Sequence, residues 1–132
     1  ESIDIAPTIL EALDIPIPDR VQGQSLWSQV MGVTSSGKQE IHYEKDFRPV
    51  EGMHPDRCLL WVIRDHRYKY VQFADDSMPP MLFDLAMDPD ELRDVAPLPE
   101  SGLLMLDYCQ RLLKWRMAHE DQRMEHWATP YR

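Results

Sequence analysis

A chain of 132 residues, 43% of them hydrophobic, is long enough for one compact domain that hides roughly two-thirds of its unfolded surface. Its formal charge of −9, from 23 acidic and 14 basic residues, repels nucleic-acid phosphates and anionic membrane faces, so neither is an expected partner. No apolar run approaches the roughly 20 residues that span a bilayer, and Cys58 and Cys109 form no CxxC or dense framework; reduced, partly buried thiols are expected, and a cytoplasmic location is slightly favoured.

Glu1 stands directly before a helix start with no leader ahead of it, which reads as a cut edge. Residues 4–13 predict a helix, with Asp4 as its cap and Pro7 tolerated in the first turn; Ile5, Ile9, Leu10 and Leu13 share its apolar side. That side needs the rest of the fold, a second copy or solvent, so association or a swapped arrangement is expected. Pro16 and Pro18 then enforce an extended connector. Residues 25–31 suit two turns of helix capped by Ser25, and the polar stretch 32–38 divides the chain.

Beyond Glu40 the pattern changes to strands, at 41–47, 58–64, 68–73 and 81–87. The second and third form a hairpin although no glycine marks the turn at Asp65-His66-Arg67. Asp88-Pro89-Asp90-Glu91 turns the chain out of the fourth strand, and Ser101 is the expected cap of a long last helix. On that helix Leu104, Met105, Leu106, Tyr108, Cys109, Leu112, Leu113, Trp115 and Met117 form one broad apolar side, with Asp107, Gln110, Arg111 and Lys114 opposite. Arg116 falls on the apolar side and needs an acidic partner, for which Asp84 or Asp88 is the expectation.

Taken in order, residues 2–10 (SIDIAPTIL), 15–26 (IPIPDRVQGQSL), 67–71 (RYKYV) and 82–91 (LFDLAMDPDE) resemble the end of a sulfatase or phosphonate monoester hydrolase of the alkaline phosphatase superfamily. Each motif is weak alone; the ordered set is specific. The residues around Trp115 to Arg123 resemble the phosphonate monoester hydrolase and choline-sulfatase-like branch. The chain departs from the family where glycine is common at Asp14 and in the Asp65-His66 turn; Asp tolerates the left-handed conformation at some cost.

The resemblance implies an α+β fold in two parts. Residues 1–35 would finish an α/β hydrolase core and connect it to the rest. Residues 36–132 would form an antiparallel sheet of about four strands packed by the C-terminal helix. It also implies a parent enzyme in which a nucleophile, often formylglycine, works beside a divalent metal such as Ca, Mn or Zn to offset charge on a transferring sulfuryl or phosphoryl group. Neither cysteine sits in the required Cys/Ser-x-Pro/Ala-x-Arg context, so no catalytic, cofactor or metal residue is assigned here and the nucleophile is expected upstream. The expected partners are that upstream core and further copies of the chain.

Other candidates are weaker. His119-Glu120 begins like a zinc-protease motif, but Arg123 stands where the second histidine is needed. Asp84, Asp88, Asp90, Glu91 and Asp94 invite a calcium reading yet lack EF-hand spacing, and a solvated turn is simpler. Gly23-Gln24-Ser25 lacks the second glycine of a nucleophile elbow. Three residues are carried forward as candidates for a pocket wall or an assembly surface. Lys69 would face an anion or simply solvent, Arg116 a substrate or an internal ion pair, and His54 a pocket mouth or open solvent. The rival to the hydrolase reading is a free-standing binding or oligomerisation module; a third is a pseudoenzyme with an eroded upstream core.

Overall fold

The structure, a computed structural model, describes residues 1–35, 37–46 and 59–119. His54 and Cys58 lie outside the described residues. A short 3-10 turn, Ser2–Asp4, leads into α1, Ile5–Ala12, and α2 follows at Trp27–Val30. Then come β1, Glu40–Asp46; β2, Leu59–Asp65; β3, Tyr68–Phe73; β4, Met81–Asp84; and, after a 3-10 turn at Pro99–Ser101, α3, Gly102–His119.

The strands form one antiparallel sheet in the order β1-β2-β3-β4, with His42 opposite Ile63, Ile63 opposite Tyr70 and Tyr70 opposite Leu82. Because side chains alternate across a sheet, this register puts these four on one face, and α3 lies on it. Ile63, Tyr70 and Leu82 pack there with Tyr108 and Leu112 of α3 as the main core. Val62, Val71 and Phe83 point the other way and cluster with Leu85. The expected α+β class, four-stranded sheet and long helix are all present.

Several local expectations need correction. Asp4 makes no capping bond to α1. Its carboxylate instead reaches a distant segment. Ser101 does not cap α3 either; its hydroxyl donates to the Val95 carbonyl at 2.7 Å, tying the incoming loop to the helix start. The fourth strand stops at Asp84, because the Asp84 carboxylate and carbonyl take the Ala86, Met87 and Asp88 amides and bend the chain. The two turns expected over 25–31 are one, and Ser25 is not the cap of α2: Leu26 holds that position without a side-chain bond, while Ser25, one residue earlier, accepts from the Trp27 amide at 3.1 Å. Cys109 is exposed rather than partly buried.

The broad apolar side read onto α3 is two faces. Tyr108 and Leu112 are buried and Leu104, Met105 and Trp115 partly so, whereas Leu103, Leu106, Leu113 and Met117 are exposed. A 3.6-residue period cannot fold so many apolar positions onto one stripe. α1 has a comparable excess: Ile5, Ile9 and Leu13 are exposed. Asp14, just beyond it, is left-handed at φ 55°, as the absent glycine implied.

Candidate functional site

The residues of the N-terminal motifs hold one another. Asp4 is 1% exposed, and one of its carboxylate oxygens accepts from the Gln24 amide at 2.7 Å and from Lys38 Nζ at 2.9 Å. The Thr8 hydroxyl donates to the Asp4 carbonyl at 2.6 Å and accepts from the Leu26 amide at 2.9 Å. Between these bonds Gly23 lies so close to the first turn that an added Cβ would sit 2.0 Å from the Ile3 carbonyl oxygen. The Asp4-x-x-Pro7-Thr8 and Gly23-x-Ser25-Leu26 segments are therefore two halves of one clamp. Burial disfavours the Asp4 charge, but Lys38 and the Gln24 amide outweigh it and lower its pKa; the same pairing raises that of Lys38.

A second cluster joins α3 to the strand ends. Asp65 Oδ1 accepts from the Arg67 and Tyr68 amides, both at 2.9 Å, so a side chain builds the β2–β3 turn without glycine. Asp65 Oδ2 takes the Tyr108 hydroxyl and, at 3.1 Å, Arg111 Nη2. Arg111 also pairs with Glu40 of β1 through Nε at 2.9 Å and lies over the Tyr108 ring. Burial works against the Asp65 charge, yet Tyr108, the two amides and Arg111 hold its pKa at about 2. Burial and then Asp65 push Tyr108 up to about 12, and burial raises Tyr70 to about 12 as well. Arg111 is held charged by Glu40, Tyr108 and Asp65 despite its burial. Fixed charges and firmly protonated phenols are suited to fastening and unsuited to proton transfer near neutral pH.

Of the candidates named from sequence, Lys69 and Arg116 sit in separate ion pairs, and His54 lies outside the described residues. Lys69 pairs with Glu91 and lies 5.7 Å from the Phe83 ring centre. Glu91 reaches it from a left-handed backbone, φ 57°, and lies 3.7 Å from Arg64. Arg116 pairs with Glu44 at 3.3 Å and covers the Trp61 ring, which corrects the expected Asp84 or Asp88 partner. Asp84 instead faces Arg67 at 3.5 Å.

Sequence reasoning missed Arg111, placed on the polar side, and His42. The available signal for Arg111 was its position three residues after Tyr108, on the edge of the inward stripe. His42 stacks on Trp115 with ring centres 4.3 Å apart, and Trp115 on His119 at 4.9 Å. Burial lowers the His42 pKa against the pull of Glu40 and Glu1; its Nε2 lies 3.4 Å from a Glu40 carboxylate oxygen and has no hydrogen-bond partner among the described residues. Among the described residues no three His, Cys, Asp or Glu side chains are grouped to hold a metal, and the acidic residues after β4 serve the turn: Asp88 takes the Arg93 amide and Asp94 those of Leu82 and Ala96. The described residues therefore offer no ligand set that fits a metal.

The family model for the C-terminal region of N-sulphoglucosamine sulphohydrolase matches residues 1–118. The chain belongs to this sulfatase C-terminal family. It is 42% identical to the multifunctional alkaline phosphatase superfamily protein PehA of Trinickia caryophylli, over 98% of this chain and 26% of that protein. It is 33% identical to human arylsulfatase K (Homo sapiens), over 71% of this chain and 18% of that one. Its fold matches the phosphonate monoester hydrolase SpPMH from Silicibacter pomeroyi with a TM-score of 0.79 and 34% identity, covering 92% of this chain and 26% of that chain. The chain thus spans about a quarter of the length of PehA and SpPMH.

Proposed function

We propose that this chain is the C-terminal part of a metal-dependent hydrolase of sulfate, phosphate or phosphonate esters, to which it contributes attachment, assembly and a stretch of pocket wall but no catalytic group. The observation that carries this reading is the N-terminal clamp. Asp4, Thr8, Gly23 and Lys38 hold residues 1–35 in one shape while Ile5, Ile9 and Leu13 stay exposed, the 53% exposure of Ile9 being typical. A segment so firmly shaped around an uncovered apolar face is built to receive another body, and the upstream core of the same polypeptide is the occupant that the partial coverage of every named relative supports. Residues 1–35 then close that core, and residues 36–132 form the appended sheet and helix. The metal and nucleophile, formylglycine where the parent carries it, belong to the upstream region.

The test is a substrate panel on the protein joined to its upstream region: p-nitrophenyl sulfate, p-nitrophenyl phosphate and a p-nitrophenyl phosphonate, with Ca, Mn or Zn. Saturable, metal-dependent turnover of at least one ester class is expected. Ile9→Glu with Leu13→Glu should abolish it while the sheet remains folded. No turnover of any class would overturn the reading.

A further inference from the structure

The outward face of α3 carries Leu103, Leu106, Gln110, Leu113 and Met117, spaced three and four residues apart in alternation. That is the a/d spacing of a helix–helix seam. It lies opposite the Tyr108 and Leu112 stripe that holds α3 to the sheet, and its members are exposed, Leu103 at 84% and Leu113 at 55%. We propose that this face is a homodimer seam, on which α3 of a second copy lies antiparallel with the two-fold axis at Gln110.

The sequence of the seam selects that occupant. An antiparallel pair centred on Gln110 sets Leu103 against the partner subunit's Met117 and Leu106 against the partner subunit's Leu113. Asp107 and Lys114 lie on the same flank of the seam, three residues before and four residues after the centre. In antiparallel pairing like flanks face each other, so Asp107 meets the partner's Lys114 and Lys114 the partner's Asp107. A parallel pair makes neither contact. The Asp107 side chain is 60% exposed and accepts from Arg111 Nη1 at 3.5 Å. Gln110 at the centre is a polar residue of the kind that fixes register. The seam is short for an isolated coiled coil, but α3 is already folded on the sheet, so association need not nucleate the helix. The sheet-facing side of α3 is untouched by this contact, and the proposal is independent of the hydrolase reading.

Analytical ultracentrifugation of the protein at concentrations up to about 100 µM reads the result. A monomer–dimer equilibrium is expected, weakened at least about tenfold by Leu106→Glu with Leu113→Glu, with the circular dichroism unchanged because both residues are exposed. Asp107→Lys and Lys114→Asp should each weaken the dimer; the double swap should restore it, and the two single variants mixed should prefer each other. A monomer throughout the range, a dimer indifferent to Leu106→Glu with Leu113→Glu, or a double swap no better than either single variant would overturn the proposal. Ile9→Glu with Leu13→Glu is the control for association through α1 and should leave the dimer intact.

Discussion

Residues 1–35 and the sheet with α3 are held by different forces. The sheet and α3 enclose Ile63, Tyr70, Leu82, Tyr108 and Leu112 in an apolar core. The N-terminal segment encloses almost no large apolar side chain; Asp4 and Pro7 are its fully buried residues, and polar bonds and one close backbone approach set its shape. The N-terminal segment leaves its apolar face uncovered, whereas the sheet and α3 enclose a core between them. The two therefore differ in what a substitution does to them.

The sharpest contrast is between equal truncations in the two parts. Leu82→Ala, at a fully buried position, should cost about 2–5 kcal/mol in urea unfolding, while Ile9→Ala should stay within about 0.5 kcal/mol. Similar losses at both sites would break the comparison. Next comes Gly23→Ala, which forces the clamp apart and should cost about 1–3 kcal/mol. Its effect should appear as faster amide exchange at Gln24 and Leu26, with amides of β2 and β3 protected as before.

Asp65 probes the fastening of α3. Its folded pKa of about 2 lies below the ordinary 3.8, so its contribution is complete above that value and disappears as pH falls through 2. Asp65→Asn should remove up to roughly 2 kcal/mol at pH 7 and flatten the acid limb of the stability profile between pH 4 and 2. An unchanged acid limb would show that the Asp65 cluster does not fasten the helix. The smallest effect expected is a gain: Asp14→Gly relieves a left-handed backbone and should add about 0.5–1 kcal/mol, read as a small rise in Tm.

The strands and the long helix were legible because their periodicities are strong, and the hairpin was legible without glycine because its flanks are so apolar. What escaped was long-range partnership. Nothing local to Asp4 announces that its carboxylate serves Gln24 and Lys38 rather than its own helix, since a capping position and a tertiary clamp share the same sequence signature. Arg116 was correctly seen to need an acid, but Glu44 became available only once the register set β1 beside β2 under α3. Arg111 was grouped with the polar side of α3 because its residue type outweighed its position at the edge of the inward stripe. The two faces of α3 were merged for the opposite reason, since apolar type was read as burial. Lys69 stood out as a cation on a strand, and its ion-pair partner, Glu91, depends on a backbone conformation that sequence does not disclose.

The central claim is that the chemistry of the whole protein resides outside these 132 residues. The direct measurement is initial-rate hydrolysis of p-nitrophenyl sulfate, p-nitrophenyl phosphate and phenylphosphonate by the purified chain alone, with and without Mn, Ca or Zn. No rate above the buffer and metal blanks is expected. Saturable, metal-dependent turnover that scales with protein concentration would contradict the account.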